Sequence, residues 1–402
     1  MSYTPIPNPL TVTLRSDDGN LVDVSRYGQL IIGERHDDVL ARFEYNTSAK
    51  DVTTVTSGTG TTSNANSMAT VASGAGVGGA AHQSLRNITY RPAHEAYAFF
   101  TSLYSTGQDA NTYQRHGPFD AQDGFFFGYS GTTFGTFIRK GGATTFTART
   151  SWNGDKVDGT GLSGFNLNPN TLNQYKVEYG WLGIAPISYL VYGGQVKGWV
   201  TVHTVDRTNL DQTPHILSPS LPLRIEAGRT SGSGTSVTVS MGSWSAGATE
   251  GQHSHAGHRV FAGLATATLT ANVETIVASF RNESTFQSKT NKVAIQAVYA
   301  GFSCDGTKIT AFKFYRNATI TGGAWSSVDS ANSVTSVNLT GTVASGTFEF
   351  AVPIGKVDNA QLDLGAGHIH LELLPGETMS IVGLSAGASD VQVAFRWEEF
   401  FS

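Results

Sequence analysis

The chain has 402 residues, enough for two or three domains, and 14% of them are charged, against roughly 25% in ordinary soluble domains. A net charge of −5 without any basic run argues against nucleic-acid binding by phosphate neutralisation. The single cysteine, Cys304, excludes an intrachain disulfide framework and a cysteine zinc site.

Glycine, at 46 of 402, exceeds the usual ~7%, while 39% hydrophobic and 10% aromatic residues are enough for real cores. Low charge with abundant Gly, Ser, Thr and aromatics predicts an all-β chain of many short strands and turns. The opening MSYTPIPNPLTVTLRSDDGN has no basic segment followed by an apolar one, and no apolar run approaches ~18 residues. The expectation is synthesis in a reducing cytosol, without membrane insertion.

Residues 1–85 read as an extended docking arm. Val12 and Leu14 alternate onto one face, and Pro5, Pro7 and Pro9 forbid helix at the start. Between Asp51 and Gly79 the chain is almost free of charge and bulk, which fits a loop or an arm paired with another subunit. A first β-sandwich, jelly-roll-like, is expected over 86–250. Tyr97, Phe99 and Phe100 mark one strand and the run Asp123-Gly-Phe-Phe-Phe-Gly-Tyr129 another. In 174–182, Tyr175, Val177, Tyr179 and Trp181 share one face, with Lys176 and Glu178 opposite. Residues 251–257 read as a linker, and 258–402 as a second β-sandwich. It closes on a strand that places Val391, Val393, Phe395 and Trp397 on one face.

No phosphate loop, GxSxG elbow, HExxH helix or EF-hand spacing is present. Asp120 and Asp123 are imaginable as the two acids of a glycosidase, but two Asp beside Gly in a loop are ordinary turn formers. Glu398-Glu399 reads as a charged pair that keeps the C-terminal end solvated. His253-Ser-His255 and His368-Ile-His370 are both His-x-His, and on a strand each pair points one way. Two imidazoles are too few for a closed metal site, whereas a threefold axis would supply six and hold an axial ion. Otherwise these histidines are ordinary linker and strand residues, and no cofactor is implied. Of six tryptophans most fall in alternating strands. Trp325, in Gly322-Gly-Ala-Trp-Ser-Ser, is the candidate exposed ring for stacking on a glycan.

Three stretches resemble segments of tailed-bacteriophage virion structural proteins of the tail, baseplate-appendage or head-decoration type. They are Asp123–Ser130 continuing to Thr136–Gly142, Asp158–Asn170 followed by Leu172–Gly183, and the shorter Ser25–Gln29. The resemblance covers roughly 110–200 well and brings no catalytic residues. It implies a non-enzymatic component of the virion, most simply a tail or baseplate appendage and in second place a capsid decoration or head fibre protein. Its partners would be itself, as a homotrimer, and other virion proteins. A receptor-binding, lectin-like module for a host-surface glycan is the rival reading.

Overall fold

The computed structural model describes residues 35–401 apart from 93, 182, 195–197, 250–257 and 365–370. It is built almost wholly of antiparallel β-sheet. One short 3-10 turn, Arg149–Ser151, is the only helical element among the described residues. The chain divides into two compact units, Met1–His253 and Ser254–Ser402.

In the first unit the strands are β1 (Arg35–Arg42), β2 (Val52–Gly58), β3 (Thr61–Ala65), β4 (Met68–Ala72), β5 (Gly78–Asn87), β6 (Glu95–Tyr104), β7 (Thr112–Pro118) and β8 (Gly124–Ser130). They continue as β9 (Thr133–Lys140), β10 (Ala143–Ala148), β11 (Asn173–Gly180), β12 (Ile187–Gly193), β13 (Gly198–Val205), β14 (Pro222–Arg229), β15 (Thr238–Met241) and β16 (Ser243–Thr249). Seven form a sheet in the order β10-β9-β8-β7-β14-β5-β2. Nine form the other, which forks at β6: one edge of β6 pairs with β11, the other with β16 and then β15.

Period-two alternation sets the two sheets face to face. Tyr175, Val177 and Tyr179 are buried, as their spacing predicts, and Phe125, Phe127 and Tyr129 of β8 meet them from the other sheet. The rings of Phe127 and Tyr175 lie 4.9 Å apart. His116 of β7 points into this core, between Phe100 and Trp244.

The stretch 51–79, expected as a loop or an intersubunit arm, forms strands of the first sandwich. Strand β5 lies between β14 and β2, and β4 pairs with β15. Small side chains suit both strand pairing and burial: Ala69, Val71 and Ala80 join the core. Asn66 and Ser67, both at positive φ, make the two-residue turn between β3 and β4. Of the expected arm, residues 1–34 lie outside the described residues.

The second unit contains β17 (His258–Leu269), β18 (Thr275–Asn282), β19 (Thr285–Phe286), β20 (Lys289–Thr290), β21 (Ile295–Cys304), β22 (Thr310–Thr321) and β23 (Ser326–Ser327). After these come β24 (Thr335–Asn338), β25 (Thr342–Ile354), β26 (Asp358–Asp363), β27 (Glu372–Leu373), β28 (Thr378–Ser385) and β29 (Ser389–Phe400). One sheet runs β17-β29-β21-β26, the other β23-β24-β18-β28-β22-β25. Val391, Val393, Phe395 and Trp397 are buried as their alternation predicts, and Phe395 stacks 4.4 Å from Phe280 of the opposite sheet.

The acids at the end of β29 are not both solvated. Glu399 is fully buried, and its carboxylate accepts from Ser333 Oγ (2.6 Å), Thr335 Oγ1 (2.6 Å), Val334 N (3.0 Å) and Trp397 Nε1 (3.1 Å). Four donors replace the water that burial removes, so the carboxylate is an interior strut of the second unit.

Candidate functional site

The core-facing side of the seven-stranded sheet packs into the first core; its outer side carries an ionic cluster on aromatic rings. By register, the outer positions are Tyr113, Arg115 and Gly117 on β7, and Arg224, Glu226 and Gly228 on β14. Phe126 lies on β8, Phe137 and Arg139 on β9, and Thr144 and Phe146 on β10. Phe119, Phe126 and Phe137 are buried and form a separate apolar cluster with Phe146 against it. The rings of Phe126 and Phe137 stack at 4.8 Å, and Phe119 lies 4.3 Å from Phe126. Glycines leave room for the rings at the margin: a Cβ on Gly135 would meet the Phe146 ring at 2.6 Å, and one on Gly228 would meet Tyr113 Oη at 2.3 Å.

Three guanidiniums rest on this aromatic bed. Arg139 lies 5.2 Å from both the Phe119 and Phe126 centroids, Arg115 lies 4.3 Å from Tyr113, and Arg224 lies 5.9 Å from Phe119. Glu226 sits among them. Its Oε1 accepts from Arg115 Nη1 at 2.8 Å, its Oε2 from Arg224 Nε at 2.8 Å, and Arg139 Nη2 is 3.6 Å away. Arg139 also donates to the Asp120 carbonyl at 2.6 Å, and Arg224 Nη1 to Gln83 Oε1 at 2.9 Å. Arg115 Nε is buried with no acceptor among the described residues.

Burial by itself would raise the Glu226 pKa, but Arg224, Arg115 and Arg139 outweigh it and hold the carboxyl below its usual range. Arg139 is pulled the other way. Burial lowers its pKa, Glu226 opposes this, and Arg115 and Arg224 add to it. The Glu226 shift follows the charges around it, three cations to one anion among the described residues, whereas the Arg139 shift follows first from burial.

The outer face of the other sheet differs. There Lys176 packs over the rings of Phe99 (5.0 Å) and Trp199 (5.6 Å), and its ammonium pairs with Glu178.

The residues singled out by sequence fare variously. His253, His255, His368 and His370 lie outside the described residues, and among the described residues no three His, Cys, Asp or Glu side chains converge as metal ligands. Trp325 is half-buried in the turn after β22, with the Arg281 guanidinium 4.4 Å from its ring and itself paired to Glu283 at 2.5 Å. Asp120 and Asp123 serve turns. Asp120 Oδ1 accepts from the amides of Gln122 and Asp123, and Asp123 Oδ1 from those of Gly141 and Leu217. Trp152, Trp244 and Trp397 are core. The arginine cluster went unseen in the sequence. Its local signal is the parity of Arg224-Ile-Glu226 and Tyr113-Gln-Arg115, but β7 and β14 meet only through tertiary pairing.

No family model matches the chain, and no curated protein matches it. Solved structures similar to it include one of botulinum neurotoxin type C, described for cell entry through two ganglioside molecules, at 7% identity and a TM-score of 0.32. That match covers 52% of this chain and 47% of the other, so the chain spans about half the length of this neurotoxin structure. Cellulose-induced protein Cip1 matches at 15% identity over 52% of this chain and 96% of that one, TM-score 0.34. The metal-free lectin I-B4 of Griffonia simplicifolia matches at 12% over 52% and 98%, TM-score 0.31. Scores of this size carry no inference about what this chain binds.

Proposed function

We infer that this chain is a non-catalytic binding protein that holds a saccharide on the outer face of the seven-stranded sheet of its first unit. The observation that carries the reading is the arginine cluster: three guanidiniums fixed on an aromatic bed around the Glu226 carboxylate. Such a surface presents donors in set directions without needing to order flexible side chains first. Its flanks fit a sugar. Thr53 and Ser57 of β2 and Thr144 of β10 offer exposed hydroxyls on the same face, and the half-buried rings of Tyr113 and Phe146 offer apolar edges. Catalysis is disfavoured because Glu226, held ionised by its arginines, is a poor proton donor, and Asp120 and Asp123 spend oxygens on backbone amides. A glycan array probed with the full chain tests this. Binding that disappears in Arg224→Glu is expected, and an array without signal contradicts the reading.

A second reading places the protein in a tailed-phage particle, as a tail or baseplate appendage or a head decoration, assembled as a trimer. The feature that favours assembly is the pair of long edge strands in the second unit. Among the described residues strand β17 pairs only with β29 and exposes Val260 and Leu264, while β25 pairs only with β22 and exposes Phe348. From Val260 to Leu269 no charge or proline guards the β17 edge. The two readings are compatible, since an appendage that recognises a host glycan has both properties. Purified protein that rejoins particles lacking it supports the second reading, and protein with no affinity for them removes it.

A further inference from the structure

We propose that the arginine cluster is an oxyanion site, and that the saccharide it takes is an acidic one whose carboxylate or sulfate group is gripped between Arg115 and Arg224. The inference rests on the saccharide reading above and names its ligand class. Arg115 and Arg224 flank Glu226, each giving it one nitrogen at 2.8 Å, and each guanidinium keeps its Nη2 without an acceptor among the described residues. Their side chains retain 20% exposure, against 8% for Arg139, so they form the reachable rim while Arg139 and Glu226 form the fixed frame. Arg139 is tied to Glu226, to the Asp120 carbonyl and to Thr144 Oγ1, so it is held in place.

The charge count asks for an anion. Among the described residues three cations and one carboxylate leave two positive charges in a half-buried place, where like charges repel more strongly than in water. An arriving oxyanion offsets that repulsion and offers the acceptors that two arginine forks lack, which suits carboxylate and sulfate alike. A saccharide is favoured over a nucleic acid because the excess charge is confined to one cluster on a chain of net charge −5, whereas strand binding needs a row of phosphate contacts. Hydroxyls on the same outer face, Thr144 beside Arg139 and Thr53 and Ser57 on the opposite edge strand, suit the rest of a sugar.

Titration of the full chain with oligogalacturonate, sialyllactose, a sulfated galactan oligosaccharide, carboxyl-reduced and desulfated versions of each, and single-stranded DNA tests this. Binding to at least one acidic saccharide is expected, at least tenfold weaker for its neutralised version and weakening with salt. At least a tenfold loss is expected in Arg115→Gln and in Arg224→Gln. If the variants fail to fold, the comparison of acidic with neutralised ligand in the unaltered protein still decides. Preference for neutral sugars overturns the oxyanion claim while leaving the saccharide reading intact. Acidic binding untouched by either variant places the site elsewhere and overturns the inference, as does DNA bound as tightly as the saccharides. Binding to no saccharide here or on the array overturns both claims.

Discussion

His116 lies in the first core with its Nδ1 2.6 Å from Ser102 Oγ and its ring 4.2 Å from Phe100. Burial lowers its pKa to about 3, and that of His82 to about 4. The unfolded chain takes up these protons near pH 6.5, whereas the folded chain resists until pH 3–4. Stability from this source is therefore complete above pH 6.5, falls as pH drops toward 3, and is level below that. His116 alone accounts for on the order of 3–5 kcal/mol across the window. In urea melts taken at several pH values, His116→Gln is expected to show a shallower acid limb than the parent. An unchanged limb would refute the assignment. Glu399 makes the same kind of demand in the second unit: Glu399→Ala strands four buried donors and is expected to cost about 3 kcal/mol. Its position was legible in principle. The parity that turns Val391, Val393, Phe395 and Trp397 inward also turns residue 399 inward, but the charge suggested otherwise. For the arginines parity gave the face and nothing more, because no local pattern says that Glu226 will stand opposite Arg115.

At the scale of elements, the strands with bulky alternation were plain in the sequence and those made of small residues were not. Strands β11 and β29 announce themselves through Tyr, Val, Phe and Trp at alternate positions, and β6 and β8 through their density of Phe and Tyr. Strands β2 to β5 are written in Thr, Ser, Gly and Ala, a composition shared by loops and linkers, and only their partners reveal them. This has a testable consequence. Removing residues 1–80 deletes β1 to β4 and the start of β5, so hydrogen exchange should show loss of protection throughout β6–β16 and retention in β17–β29. A first unit that keeps its protection would mean that these strands are dispensable, as an arm would be. The edges make a second prediction. If β17 pairs with a neighbour, Leu264→Lys should lower the mass measured by light scattering and leave the fold intact. A parent protein that is already a monomer contradicts the edge reading.

The whole molecule has two units, each with its own hydrophobic cluster, Phe127 and Tyr175 lying in one and Phe280 and Phe395 in the other. All-β architecture followed from low charge, glycine and alternation, all properties of the chain as a string. The arginine cluster did not, because it is made of side chains gathered from strands more than a hundred residues apart, such as Arg115 and Glu226. The most direct test of a saccharide over the arginine cluster is a crystal structure of the full chain with its tightest array ligand. Sugar density is expected on the outer face of the seven-stranded sheet, with an oxyanion within hydrogen-bond distance of Arg115 and Arg224. Density elsewhere, such as at Trp325 in the second unit, with the cluster unchanged would contradict this placement.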